Sequence, residues 1–344
     1  MNFMRLAQWR GMHSHEHKSN LNLIEHTLEK VYENTKIKKG NKNMEQEVIL
    51  IENMRALVAY IQNPIAGAKV IIGFNSLANM TSILSRDIMS KTYLKSRLYS
   101  RSASDFLDAP ELNIGGWDVS KVTNMQYIFA SATRFNSNLN DWDVSNVRNT
   151  RCAFAETRLF NQPLDNWDVS NVKSMRCMFR SAKKFNQPLN SWNTKNVRDL
   201  GFMFAWASVF NQPLNKWETK NVNNMESLFR CATDFDQELA MWDTANVTSM
   251  AYMFNDASNF NQSLNDFDTT SLVSVKGMLQ NSVISEKFIP ERLRAIEEKE
   301  KEADAMREAQ DVLEHARQMH IKQWCSPESQ RAMHAFLATL HSDE

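Results

Sequence analysis

Glycine and proline are scarce, 8 and 7 in 344 residues, which argues against long flexible linkers. Cysteine is scarcer: only Cys152, Cys177, Cys231 and Cys325 are present. The first two fall at the same position of consecutive repeats and so can lie close together. The expectation is nonetheless of small, semi-buried thiols in a reducing compartment. No run of 18 apolar residues occurs, which excludes a membrane-spanning helix, so no membrane insertion is expected. The first ten residues, Met1 to Arg10, lack the continuous apolar core of a secretory signal. That predicts an intracellular, cytoplasmic protein, or one inside a particle assembled in the cytoplasm. An excess of either charge is missing too: forty basic residues balance forty acidic ones, so bulk charge selects no partner. Enzyme motifs are absent. There is no G-x-x-x-x-G-K-[ST], no G-x-G-x-x-G after a strand, no G-x-S-x-G and no H-E-x-x-H. No catalysis, no cofactor and no small-molecule substrate are expected.

What the chain does have is tryptophan, phenylalanine and methionine, and most of it is periodic. Trp117, Trp142, Trp167, Trp192, Trp217 and Trp242 stand 25 apart, with Phe267 next in step. Phe129, Phe154, Phe179, Phe204, Phe229, Phe254 and Leu279 form a second column. Phe135, Phe160, Phe185, Phe210, Phe235 and Phe260 form a third, and Val122, Val147, Val172, Val197, Val222, Val247 and Leu272 a fourth. Apolar columns held in register over six or seven copies mark a repeat architecture in which each unit buries its apolar face on its neighbours.

Within one unit, Leu164, Trp167 and Val169 follow an L-x-x-L-x-L spacing, and Trp167 and Val169 flank Asp168 as in a short strand. Val172, Met175, Phe179 and Ala182 are then spaced three, four and three apart, as on a short helix with Ser170 or Asn171 at its N-cap. Phe185 opens a turn, Phe-Asn-Gln-Pro-Leu. The predicted fold is an α/β repeat solenoid, leucine-rich-repeat-like, of strand–helix units, roughly 30 Å long at the usual strand spacing. Asn136, Asn161, Asn186, Asn211, Asp236 and Asn261 predict a side-chain ladder that satisfies backbone groups at the turns.

The phrases FNQPLDNWDVSNVKSM and FNQPLNSWNTKNV resemble the BspA-like leucine-rich surface-protein repeat, a mycoplasma-type domain of formerly unknown function. The likeness covers about residues 111–284. It implies a non-catalytic solenoid used for adhesion or protein binding, of a kind that also occurs in protists and in large DNA viruses.

The flanks are read as all-α. Residues 1–19 look like a mobile tail, in which His13, His15 and His17 carry no completed metal site. Residues 20–105 form an N-terminal cap region, with helices expected at 20–38, 43–62 and 75–98. The repeats, about seven copies, fill 106–284. Residues 285–344 form a C-terminal extension with a long amphipathic helix from Pro290 to about Trp324, broken by Ser326-Pro327. Sequons at Asn79 and Asn246 are taken as incidental.

Two rows of side chains are candidate partner sites. Asp118, Asp143, Asp168, Asn193, Glu218, Asp243 and Asp268 follow the aromatic column and are expected to point out of the concave face. They make either an acidic groove for a basic protein segment or carboxylates consumed by backbone amides of the repeat. Arg148, Arg151, Lys173, Arg176, Arg180, Lys183, Lys184 and Arg198 fall on the opposite, convex face. They make either a basic patch or an ordinary solvated surface. Nucleic acid is not expected there, because the aromatics are assigned to buried columns and none interleaves with the basic residues. Three roles remain open: a scaffold for protein partners, a structural component of a large assembly such as a large DNA virus particle, or a surface adhesin.

Overall fold

A computed structural model describes residues 114–324 without a gap. Before them it describes 48–52, 56–57, 60–61, 68–73, 76–77 and 107, and after them 328, 330 and 331. The expected tail at 1–19, the helix at 20–38, nearly all of that at 75–98 and the chain's end lie outside these residues.

The N-terminal part corrects the all-α expectation. Strand β1 (Val48–Ile51) pairs in parallel with β2 (Lys69–Ile72), in the register Val48↔Lys69 to Ile51↔Ile72. Residues 56, 57, 60 and 61 between them are helical. β1 is a run of β-branched and leucine side chains, β2 follows Lys69 with Val-Ile-Ile, and Ile49, Ile51, Val70 and Ile72 are buried. A run that buries alternate residues on one sheet face favours strand over helix. The next rung is already part of the repeats. Ile72 N–H donates to Asp118 O at 2.8 Å, Asp118 N–H to Val70 O at 2.8 Å and Leu77 N–H to Asn124 O at 3.0 Å.

From there each 25-residue unit, here called a coil, is hydrogen-bonded to the next. A single parallel bridge runs Asn124, Asn149, Ser174, Asp199, Asn224, Ser249, Ser274. The strand–helix alternation expected inside each coil is not what the backbone does. Trp167 N–H closes a turn onto Leu164 O (3.1 Å), where a strand was expected. Residues 175–182 make no α-helix but a run of turns, with Met178 N–H on Met175 O (3.0 Å), Arg180 N–H on Cys177 O (3.1 Å) and Ala182 N–H on Phe179 O (3.0 Å). The alternate N–H groups leave the coil altogether. Met175, Cys177, Phe179 and Ser181 donate to Asp199, Gly201, Met203 and Ala205 of the following coil at 2.8–3.0 Å. A helix would spend these donors on its own carbonyls. The turn run spends them on its neighbour, so the same groups join coil to coil.

This alternation needs a left-handed residue twice per coil. Tyr127, Cys152, Cys177, Phe202, Ser227 and Tyr252 form one such column. Ser131, Glu156, Ser181, Trp206, Cys231, Asp256 and Asn281 form the other, all at φ between 53° and 63°. Each costs about 1 kcal/mol in an L-residue, against inter-coil hydrogen bonds of similar net worth and the burial they permit.

The core is made of the apolar columns. Phe179 lies 5.5 Å from Phe154 and 5.8 Å from Phe204, centroid to centroid, and 4.0 Å from Phe185 of its own coil, all stacked. The indoles of Trp142, Trp167, Trp192, Trp217 and Trp242 are buried and keep their polar atom paired. Nε1–H of Trp167, Trp192, Trp217 and Trp242 donates to the carbonyls of Leu139, Leu164, Leu189 and Leu214 at 2.8–3.0 Å. The asparagine column behaves as a ladder: the Oδ1 atoms of Asn136, Asn161, Asn186 and Asn211 accept from the N–H of Asn161, Asn186, Asn211 and Asp236 at 2.9–3.0 Å. A second asparagine column, Asn146, Asn171, Asn196, Asn221 and Asn246, donates Nδ2–H to a carbonyl of the preceding coil at 2.7–2.9 Å.

The C-terminal segment closes the last coil. Leu264 N–H donates to Phe288 O (2.9 Å) and Ser285 N–H to Asn261 Oδ1 (2.8 Å). Helix α1 (Glu291–Trp324) begins one residue after Pro290, where proline's fixed φ suits a helix start. Its Leu293 is buried against the last coil. Val275 N–H, whose equivalents donate to the next coil's backbone, donates instead to Glu300 Oε2 at 3.0 Å. Asp304 pairs with Lys276 one turn further on. Beyond these contacts the helix is largely exposed as far as residue 319, Met306, Val312, Leu313 and Met319 included. No helix among the described residues is long and apolar enough to cross a membrane.

Candidate interaction surface

The acidic row is on the surface and largely engaged with its own backbone. Oδ1 of Asp118, Asp143, Asp168, Asn193, Asp243 and Asp268 accepts the N–H two residues on, at 2.8–3.3 Å. This is the Asx turn, the local alternative to regular structure that short polar side chains offer. Ser120, Ser170 and Thr270 hydroxyls and amides hold the carboxyls of Asp118, Asp168 and Asp268 below their ordinary range. Glu218, one methylene longer, makes no such turn.

Six of the eight basic residues are drawn into three neighbouring rows. Arg148, Lys173 and Arg198 sit over one another, Lys173 N–H on Arg148 O and Arg198 N–H on Lys173 O, both at 2.9 Å. All three are exposed, as are Lys183 and Lys184 in the turn before Phe185. Arg151 and Arg176 form the second row. Arg180 lies in the third with Arg230, which sequence reasoning missed.

This face also corrects the view that all aromatics lie in buried columns. Phe202, Trp206 and Tyr252 are half-buried at the left-handed positions and stack with arginines. Arg176 Cζ lies 4.8 Å from the Phe202 centroid. Trp206 is flanked by Arg180 of the coil before, at 5.4 Å, and by Arg230 of the coil after, at 5.3 Å. Arg230 lies at the same distance, 5.3 Å, from Tyr252. Such contacts contribute about 0.5–1 kcal/mol each at exposed sites. They also hold the guanidinium planes in place; Arg230 Nε is buried without a hydrogen bond, and the Nη N–H groups of Arg180 and Arg230 are left for a carboxylate or phosphate. The signal was available in the sequence: aromatic residues at positions outside the four apolar columns.

Arg176 differs from Arg180 and Arg230 in having acidic partners. Its guanidinium reaches Asp199 (3.8 Å) and, across a whole coil, Glu226 (3.4 Å). It can do so because the intervening residue of its row is Gly201. A Cβ there would stand 2.4 Å from Arg176 Nη1 and 2.9 Å from Asn224 Nδ2. Gly201→Ala should therefore displace the guanidinium and sever the bridge, at a cost under about 1 kcal/mol for a partly exposed pair. A melting-temperature comparison checks this: in a Glu226→Gln background the alanine should cost less than in the parent.

Among the described residues no group of three or more histidine, cysteine or acidic side chains stands close enough to hold a metal ion. A wide-open hollow between β2 and the first coils is lined by Lys69, Trp117, Asp118, Asn138, Asp141 and Asp143. No nucleophile paired with a base stands among them.

No curated protein and no solved structure matches the chain. One family model does, described as Mycoplasma protein of unknown function, DUF285, over two overlapping stretches, residues 100–215 and 201–289. These stretches span more than half of the sequence and contain every coil, so the chain belongs to that family.

Proposed function

We propose that the chain is a non-catalytic protein-interaction scaffold, a leucine-rich-repeat-like solenoid whose basic, aromatic-braced face binds an acidic protein segment. The observation that carries this is the Arg180–Trp206–Arg230–Tyr252 stack. Its two guanidiniums are fixed in orientation and have no ion-pair partner among the described residues. Arg148, Arg151, Lys173, Lys183, Lys184 and Arg198 add positive charge on the second to fourth coils, beside its first members. Trp206 has an arginine on either side along the stack, so it offers no free ring face to a nucleotide base. Guanidinium edges suit carboxylates, which they bind in bidentate fashion. The row containing Asp118, Asp143 and Asp168 offers a basic partner less, since one oxygen of each carboxylate is already committed to an N–H.

A second reading, a structural component of a large assembly, is favoured by α1. Its exposed Met306, Val312, Leu313 and Met319 suit a helix that docks on a neighbour. An intracellular or particle-bound location accords with either reading.

The test is fluorescence anisotropy with a labelled glutamate-rich peptide and, in parallel, an oligo-dT strand of equal charge. The peptide should bind, and binding should weaken with added salt. Arg180→Ala with Arg230→Ala should weaken it at least tenfold while the far-ultraviolet circular dichroism is retained. Tighter binding of the oligonucleotide, or a double variant that binds like the parent, would overturn the proposal.

A further inference from the structure

We propose that Cys152 and Cys177 are the site of a reversible disulfide that staples two consecutive coils. The two cysteines occupy the same place in adjacent coils and share one backbone conformation, with φ of 53° and 57°. Inter-coil hydrogen bonds bracket them: Cys152 N–H donates to Arg176 O at 2.9 Å, and Phe154 N–H to Met178 O at 2.9 Å. The coils are thus held at ladder spacing at this position. That spacing, about 4.7–4.9 Å between neighbouring chains, lies within the range of about 4.4–6.8 Å between Cα atoms that disulfides take. Both thiols are free in this structure, Cys152 buried and Cys177 half-buried.

The surroundings make one sulfur reactive. The Cys177 thiol donates a hydrogen bond to Cys152, and the Tyr127 hydroxyl and the Arg151 guanidinium add to it. Together they outweigh burial and hold the Cys152 thiol down to about 6. Sharing its proton with Cys152, together with burial, pushes Cys177 up. The pair therefore carries one thiolate and one thiol near neutral pH, as an attacking and a resolving cysteine do. Cys231 provides the internal contrast. It lies in the other left-handed column, faces Asp256 (Sγ to Oδ2, 3.8 Å) and is held above its ordinary value by burial and that carboxylate.

The oxidant is a small disulfide of the glutathione class. The Cys152 thiolate attacks one of its sulfurs, forming a mixed disulfide and releasing one small thiolate. Cys177 then loses its proton and attacks the Cys152 sulfur, expelling the second small thiolate. Two protein thiols are oxidised to one disulfide, and one small disulfide is reduced to two thiols.

The experiment treats the reduced full-length chain, dilute and at pH 7, with oxidised glutathione, then alkylates and digests it for mass spectrometry. The expected product is a cross-linked peptide joining Cys152 to Cys177, lighter by two hydrogens and restored by dithiothreitol. Cys231 should remain fully alkylated and the chain monomeric on a non-reducing gel. Cys177→Ser should stop at a stable mixed glutathione adduct on Cys152. In the untreated protein, alkylation of Cys152 should reach half its maximal rate near pH 6. Full alkylation of both cysteines after oxidation, or a disulfide between chains, would overturn the inference. The wild-type measurement decides the matter even where the serine variant folds poorly.

Discussion

Phe204→Ala should lower stability by about 3–5 kcal/mol, the range for a large buried aromatic. Phe204 is fully buried and stacked on Phe179, Phe210 and Phe229 at 5.8, 4.0 and 5.7 Å. It also touches Trp217 at 6.2 Å. Its loss opens a void in its own coil and weakens both joints of that coil. Where each unit touches only its neighbours, stability is a sum over units and joints. The damage should then show as a broadened or split urea transition as well as a lower midpoint, read by tryptophan fluorescence. The same truncation at Leu279, half-buried in the last coil, should cost far less. Equal costs at both positions would count against a chain of neighbour-only contacts.

The second large effect concerns a polar residue. Oδ1 of Asn211 accepts from Asp236 N–H at 3.0 Å and from Gln237 Nε2–H at 2.8 Å. Asn211→Leu removes both and leaves a backbone donor without an acceptor in the joint, at about 2–3 kcal/mol. Asn211→Asp should remain within about 1 kcal/mol of the parent. A carboxylate supplies the same acceptor, and the chain uses one at the next rung, where Asp236 Oδ1 accepts from Asn261 N–H and Gln262 Nε2–H, both at 2.9 Å. Chemical denaturation of the two variants decides between them. A leucine tolerated as well as an aspartate would mean that the ladder carries no energy.

The apolar columns, the asparagine row and the long helix behind Pro290 could be read directly from the sequence, because burial and hydrogen bonding repeat there with one side chain per coil. The path of the backbone between them could not. Val172, Met175, Phe179 and Ala182 have the spacing of a helical stripe, yet turns closing on residues three back bring the same positions inward. Left-handed residues are usually betrayed by glycine or asparagine. Here the positions carry tyrosine, cysteine, phenylalanine, tryptophan and glutamate, with glycine only at Gly277. β1 and its surroundings misled for a related reason. Ile49, Ile51, Leu57 and Ile61 all belong to the core, and a chain that passes from a four-residue strand into a helix leaves no clean period of either kind. On the surface, the basic residues were visible individually, but their alignment with Phe202, Trp206 and Tyr252 depends on side chains one or two coils apart. Glu226 meets Arg176 from fifty positions away.

Glu300 has a consequence for ancestry. The backbone hydrogen bonds between successive coils link residues at constant offsets, and Glu300 Oε2 supplies at the far end the acceptor that a further coil would have supplied to Val275 N–H. Duplicating or excising one whole unit in frame would therefore leave the backbone bonding of each surviving joint unaltered. Only the two terminators, β2 at the front and the acidic turn of α1 at the back, have to be kept. Unequal recombination can vary the length of such a gene freely, with selection acting on the closures at either end and on the side chains displayed between them.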